Sequence, residues 1–496
     1  MVPRLRWRFA LGVNHGPLSK PKPTHVAVIG AGMAGLVAAD ALVRGGAACR
    51  VTLIEPSGRA GGVIGTVHHD GWLVERSADC FLAARPEGQA LVSRLGLEHD
   101  VVGVEPGARR ALIWAGGRPR RAPQGFRLMA PSRVAGILGT PVLSPVGRLR
   151  LLWERLVPSR RVGSPDDDES LESFAVRRLG REAFERLVQP LASGIWTADP
   201  SRLSMAAACP EFLAMEREWG SLWAGERARL RRQPGGADAA GARYGQFVTL
   251  ASGMESLPRR LAEELRRLGV RFVEGRVTGV GKMPDGRWHL DAACLEGDAT
   301  TVDAVVVAAP TYVAATVLRG VDPDLAAELA AIEYAGSCIV SLGYARDDVS
   351  HPLDAAGMVV PRTAGRRILA ASFSSSKFPG RAPEGCVLIR VFVGGALDPG
   401  VMRLEDGELV ALARRELAEL LGARGKPRLV RVERWDHAIP QYHVGHSARV
   451  ARIDALVDLH PGLALAGAAY RGVGIPQVIA SGQAAAKRCL TATRAS

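Results

Sequence analysis

The sequence predicts an α/β protein that opens on a doubly wound, Rossmann-type parallel sheet, with an α+β part further along, and three observations carry that prediction. The fully apolar run Val26-Ala27-Val28-Ile29 meets a glycine cluster and gives way to helical spacing at residues 36–42, which reads as strand, turn and helix. A strand over residues 50–55 follows and ends in Glu55, completing a βαβ unit. The same order of strand, glycine loop and helix returns near the C-terminus, over residues 463–466, 467–474 and 481–490.

The first cluster reads Gly30-Ala31-Gly32-Met33-Ala34-Gly35. Gly30 permits a tight turn, Gly32 lets the backbone approach a pyrophosphate, and Gly35 lets the helix pack closely on the strand. Glu55, about 20 residues on, is placed to accept bonds from ribose hydroxyls and to disfavour a 2′-phosphate. The continuation Arg59-Ala60-Gly61-Gly62, followed by Thr66, resembles the second FAD signature of glutathione-reductase-like and amine-oxidase-like flavoproteins, with Arg59 set to meet phosphate charge. The turn Gly467-Ala468-Ala469-Tyr470-Arg471-Gly472-Val473-Gly474 would return the chain to the isoalloxazine ring, and the next helix would aim its positive end at the N1–O2 edge. No Cys or His sits in a recognisable attachment motif, so noncovalent FAD is expected.

A chain of 496 residues with 47% apolar composition can bury more than one core. The net charge of +14 invites a nucleic-acid reading, but Lys is nearly absent and Arg is spread along the chain. Runs such as 118–121 and 227–232 therefore read as solvated faces, and no nucleic-acid partner is expected. An anionic lipid surface or a carboxylate-bearing substrate is compatible with this charge. The seven cysteines occur singly, so neither a disulfide framework nor a metal site is expected, and a reducing, cytoplasmic setting fits. Residues 303–318 form one of the longest apolar stretches, yet Pro310, Thr311 and Tyr312 break it well short of the roughly 20 residues that span a bilayer. Residues 1–24 carry Arg4, Arg6 and Arg8 beside a short apolar patch and read as a basic extension or a start placed too early.

From 89 to 215 the pattern is mainly helical, with Ser170 as N-cap of a helix over 171–187 that ends near Pro190. Residues 227–242, rich in Arg, Gly and Ala, read as a mobile loop. Strands are expected at 271–280, 288–292 and 303–308, then at 337–344, 358–360, 368–373 and 387–393 in a mixed, substrate-facing sheet. The division that follows is an extension at 1–24, a discontinuous FAD-binding domain at 25–88, 243–310 and 432–496, a helical domain at 89–215, a loop at 216–242 and a substrate-binding domain at 311–431.

Several blocks are more specific. They are Arg434-Trp435 through Ala438-Ile439-Pro440-Gln441-Tyr442 to Val444-Gly445-His446, Tyr470-Arg471-Gly472-Val473-Gly474-Ile475-Pro476, and Gln189-Pro190-Leu191 with Ser193-Gly194-Ile195-Trp196. Asp199-Pro200 through Leu203-Ser204, and Phe378-Pro379 with Arg381-Ala382-Pro383 leading to Phe392-Val393-Gly394-Gly395, complete the set. On these the chain resembles the oxygen-dependent protoporphyrinogen oxidases over about residues 25–490. It departs from them in having Ser77-Ala78 where the family has Gly-Pro, and Ala at 468 or 469 where an Asn is common.

The resemblance implies a three-part fold with a helical domain that docks on membranes, on the inner face of the cell membrane. Residues 133–161 suit that role, because Ile137, Leu138, Leu149, Leu151, Leu152, Trp153, Leu156 and Val157 interleave with Arg148, Arg150, Arg155 and Arg160. A helix packed on its own core is the alternative. The implied activity, in haem biosynthesis, is oxidation of protoporphyrinogen IX to protoporphyrin IX by hydride transfer from a meso carbon to flavin N5. Dioxygen reoxidises the flavin and yields peroxide; a homodimer is compatible. Coproporphyrinogen III is the alternative substrate, another amine-oxidase-like or carotenoid oxidoreductase a further reading, and a noncatalytic FAD-holding scaffold the last. No nucleophile arrangement is legible, so positioning alone is expected to serve catalysis. The resemblance assigns Met33, Ala34, Val277, Trp435, Gly472, Val473, Gly474 and Ile475 to the cofactor beside Gly30, Gly32, Gly35, Glu55, Arg59, Gly61 and Gly62. It assigns Gly194, Val359, Ser372 and Phe392 to the substrate, and Arg110, ahead of Ala111-Leu112-Ile113-Trp114, to a propionate.

Overall fold

The computed structural model describes residues 23–45, 49–160, 167–232 and 247–495. Nearly all of the expected extension and much of the expected loop lie outside the described residues. Five parallel strands form one sheet, in the order Arg271–Glu274, Cys49–Glu55, Thr24–Ile29, Ala304–Val307 and Leu463–Leu465. This order explains why residues 26–29 are apolar at every position: the strand is central and covered on both faces. Val26 and Val28 enter a core with the helices Met33–Arg44, Ser256–Arg267 and Ile475–Ala495. Ala27 and Ile29 enter another with Thr311–Leu318, Pro323–Ala330 and His446–Asp458.

Seven strands form a second sheet, in the order Leu429–Pro440, Tyr334–Ala345, Cys386–Gly394, Ile368–Phe373, Gly357–Val359, Ala111–Ala115 and Arg118–Arg121. Its pairings are antiparallel except that of Gly357–Val359 with Ala111–Ala115. Strand alternation sorts its two faces. Cys338, Val340, Leu342, Phe373, Val391 and Val393 bury one face beneath the helix Asp406–Leu421, which begins in a capping box of Glu405 with Glu408. The other face carries Ala111, Ile113, Val359 and Ala370 and packs on a layer of helices.

That layer includes Pro145–Leu152, Leu171–Leu179, Gln189–Trp196, Pro210–Trp219 and Leu222–Arg232. Ser144 and Ser170 cap the first two, their hydroxyl oxygens accepting from the amides of Gly147 and Ser173. Arg178 is fully buried and donates through Nε to Glu154 at 2.9 Å, with Glu216 at 3.3 Å. The residues of this layer are thus joined by paired charges as well as by apolar packing.

The helix expected over 171–187 is divided. Gly180 turns the chain at φ +93°, where an added Cβ would lie 2.6 Å from Arg150, and a π-helical turn at Phe184–Val188 precedes Gln189–Trp196. Pro190 has no N–H to return to the preceding turn. Leu222–Arg232 is helical although its composition from 227 onward reads as loop. Burial of Leu222, Trp223 and Glu226, the last paired with Arg127 at 2.7 Å, holds its first turns. Ala111–Ala115 and Arg118–Arg121 fall in the stretch expected to be helical, yet extend the second sheet. Pro119 lies on its edge strand, where proline is tolerated. Leu429–Pro440, most of which the sequence division places with the FAD-binding segments, forms the opposite edge.

Candidate functional site

The glycine loops meet at the carboxyl ends of the parallel strands. Gly30 turns at φ +105°, and an added Cβ there would lie 2.8 Å from the Ala308 carbonyl. At Gly35 it would lie 1.9 Å from the Gly30 carbonyl, so helix and strand pack with no room for a side chain. Gly32 differs: its φ is −66° and an added Cβ would meet nothing within 4 Å. Neither backbone strain nor protein packing demands glycine there, so the open space fits a ligand passing over the loop. Met33 and Ala34 turn their side chains into the core, which leaves their backbone to face such a ligand. No side chain caps this helix and no acid lies in its first turn, the condition in which a helix N-terminus accepts phosphate.

Gly61 donates its amide to the Ala31 carbonyl at 2.8 Å, and a Cβ on Gly62 would lie 3.1 Å from the Cα of Gly32. The double-glycine turn is therefore laid against the first loop. Glu55 accepts from the Ala31 amide at 2.9 Å and from the Ser57 amide at 3.0 Å, fixing its carboxylate at the loop. Arg59 donates to the Ile64 carbonyl at 2.9 Å and to the Gly62 carbonyl, and pairs with Glu255 at 3.3 Å. In this arrangement it braces the turn. Val277 is buried in the second core, close after Gly275, whose amide meets the Glu55 carbonyl at 3.1 Å. These residues suit the FAD expected from the sequence.

At the other end, Gly467 and Gly472 adopt φ of +143° and +134°, and Gly474 and Ile475 lead into the C-terminal helix, which has no acid in its first turn. Val473 packs against the same cluster as Val359, Ala370 and Phe392. Trp435 donates from Nε1 to the Arg76 carbonyl at 3.1 Å, and Ser77 Oγ donates to the Val63 carbonyl at 2.6 Å. The segment after the double-glycine turn, residues 75–77 and Trp435 thus adjoin.

Of the expected substrate contacts, Val359 and Phe392 share a cluster, and a Cβ on Gly194 would lie 3.8 Å from Val359. Ser372 is two residues from Ala370 and takes the same face by alternation. Arg110 is not brought to that face. It precedes Ala111 and shares the parity of Leu112, donates to the Gly107 carbonyl at 2.9 Å and lies 3.8 Å from Asp354.

The structure adds a charged network that the sequence pattern does not signal, because only the fold buries it. Lys377 lies 3.0 Å from Asp79 and 3.3 Å from Cys80 Sγ, and Arg390 lies 3.6 Å from Asp79 and 5.4 Å from the Phe392 ring centroid. Arg381 faces Glu75 at 3.8 Å, and Arg76 pairs with Glu433 at 2.9 Å. Burial pushes the Asp79 carboxyl up, but Lys377 and Arg390 overcome it and hold it well below the ordinary range. Burial, then Asp79, pushes the Cys80 thiol up to about 12, which keeps it a thiol. Among the described residues no His/Cys/Asp/Glu cluster could hold a metal.

Residues 33–490 match the model of the flavin containing amine oxidoreductases. The chain is 32% identical over 472 residues to coproporphyrinogen III oxidase of Bacillus subtilis, covering 94% of this chain and 98% of that one. It is 31% identical over 474 residues to the chloroplastic protoporphyrinogen oxidase of Nicotiana tabacum, covering 91% and 83%. A crystal structure from Exiguobacterium sp. 255-15, provisionally named a protoporphyrinogen oxidase, superposes with a TM-score of 0.82 at 27% identity, covering 95% of this chain and 99% of that one.

Two outcomes are expected. Gly32→Ala should fold with little loss of thermal stability, since its Cβ meets no protein atom, yet lower FAD affinity by at least about tenfold, or ~1.4 kcal/mol; flavin retained on gel filtration measures it, and full retention would show that the loop does not hold the cofactor. Lys377→Met should cost about 3–5 kcal/mol at neutral pH, because it strips the main partner from a buried carboxylate. The Asp79 carboxyl is depressed in the fold, so its contribution is present above the unfolded value near 3.9 and lost as pH falls through the folded one. The deficit in chemical unfolding should accordingly shrink below about pH 4; a deficit independent of pH would contradict the assignment.

Proposed function

We propose that this chain, which belongs to the family of flavin containing amine oxidoreductases, oxidises a porphyrinogen to a porphyrin with dioxygen as final acceptor. The observation that carries the reading is that Val473 of the glycine turn packs against the same apolar cluster that holds Val359 and Ala370 and against which Phe392 also packs. FAD is the cofactor, held by the loops around Gly32, Gly62 and Gly474, and when bound it supplies a two-electron acceptor. Aromatisation of the macrocycle provides the driving force. The side chains then have only to hold a flat, largely apolar substrate edge-on and keep water out, which suits Gly194, Val359, Ser372 and Phe392.

Protoporphyrinogen IX is the first reading of the substrate. Coproporphyrinogen III, with four propionates in place of two, is the second. It is favoured by relatives bearing that name at 30–32% identity and by the placement of the Arg390 guanidinium 5.4 Å from the Phe392 ring centroid. An aerobic assay of the purified protein with each porphyrinogen, followed by porphyrin fluorescence, separates the two; product from neither would overturn the proposal. Phe392→Ala should raise KM at least about tenfold, since truncating an apolar wall of this size removes ~1.5–3 kcal/mol. Arg110→Ala should change KM less, because its guanidinium faces Gly107 and Asp354. The reverse order of effects would return the propionate contact to Arg110.

We further propose that the helical layer rests on an anionic membrane surface. Among the described residues no helix is long and apolar enough to cross a membrane. Leu151 of Pro145–Leu152 is fully buried, while Val146, Leu149, Trp153 and Leu156 are 75%, 65%, 61% and 67% exposed beside Arg148, Arg150 and Arg155. Exposed apolar and basic side chains on this helix and on the turn Trp153–Leu156 that follows it support the surface role over a helix packed wholly on its own core. Leu149→Glu with Trp153→Glu should abolish cosedimentation with anionic vesicles at low salt, and equal binding to neutral vesicles would remove the electrostatic part.

A further inference from the structure

We infer that Tyr442 positions the flavin-binding turn and links it to the substrate-facing helix. The inference rests on the reading that the flavin ring lies at residues 472–475. The block Ile439-Pro440-Gln441-Tyr442 to His446 is distinctive in sequence, and the structure assigns it a task. Tyr442 is fully buried just beyond the strand Leu429–Pro440. Its hydroxyl donates to the Ala468 carbonyl and accepts from the Gly472 amide at 2.7 Å. These are the two ends of the helix Ala468–Arg471 and its cap. A helix of four residues is too short to hold its own ends, and its flanking residues Gly467 and Gly472 have positive φ. One phenol therefore sets the shape of the turn that delivers Val473 and Gly474.

The phenol is itself immobilised. His446 stacks on it at 4.0 Å with planes 11° apart, and His446 Nε2 meets the Tyr470 carbonyl at 3.1 Å. A carbonyl can only accept, so Nε2 carries the proton; burial pushes this imidazole down to about 4, keeping it neutral. On another side Trp196 packs at 5.2 Å, at the end of the helix that carries Gly194. The Tyr442 carbonyl also accepts from the Ser204 amide at 2.7 Å. The residue thus touches the cofactor turn through its hydroxyl and the substrate-side helices through its ring and backbone.

Tyr442→Phe tests this, since it keeps the stack and removes only the hydroxyl, leaving the Gly472 amide and Ala468 carbonyl unpaired. The holoprotein should keep its circular dichroism, lose FAD about tenfold more readily on dialysis, and show a shifted flavin absorption band. Its midpoint potential should move, a tenfold change in preference between oxidised and reduced flavin corresponding to about 30 mV for a two-electron couple. Gly474→Ala is the companion variant, because its Cβ would meet only the flexible end of Gln477 within the protein. If Gly474→Ala shifts the spectrum and potential and Tyr442→Phe does not, the role of Tyr442 is refuted. If neither shifts them, the ring lies elsewhere and the reading beneath the inference fails. Should Tyr442→Phe not accumulate, His446→Gln, which removes the stack, is read by the same potential: a smaller shift supports the positioning role, and none refutes it.

Discussion

Close approach of bare backbone to a ligand is the constraint on which the rest of this structure depends. Gly32 faces open space, Gly62 lies against Gly32, and the turn from Gly467 to Gly474 uses positive φ at both ends of its short helix. These stretches are far apart in the chain. The parallel sheet unites them, because the loops after Thr24–Ile29, Cys49–Glu55 and Leu463–Leu465 all leave from the carboxyl ends of its strands. The apolar character of the central strand is thus what makes the binding site: only a strand buried on both faces can hold loops on either side in register.

The second constraint is at the junction of the two sheets. The segment from Glu75 to Phe81 inserts Asp79 between Lys377, at the end of the helix Ser374–Lys377, and Arg390 of the second sheet. Buried ion pairs contribute little net stability but are costly to break, so they act mainly to specify one placement. Here that placement puts Phe392 and Val473 in one apolar cluster.

The helical layer is sorted by burial: Leu151 and Ile137 lie in its core while Val146, Leu149, Trp153 and Leu156 are exposed. Arg178 and Glu154, fully buried and paired, keep the adjoining turn rigid beneath those exposed side chains.

Local chemistry was legible along the chain. The glycine spacing, Glu55 at a strand end and the continuous apolarity of residues 26–29 each reflect a backbone or burial demand that a short stretch expresses by itself, and from them follow the parallel sheet and the dinucleotide loops. Ser170 likewise announced its helix, because a cap acts within three residues. What depends on distant partners was not legible. Arg118–Arg121 read as a solvated run and is exposed at both ends, but its pairing as an edge strand was not legible, and Gly180 ended a helix whose periodicity continued past it. Arg110 carried the family motif, but which face of the sheet it takes is decided by the pairing of Ala111–Ala115 with Gly357–Val359. The Asp79, Lys377 and Arg390 network and the role of the Tyr442 hydroxyl are invisible in sequence for the same reason: a charge or a phenol acquires its role from groups tens to hundreds of residues away, and only tertiary packing brings those groups within a few ångströms.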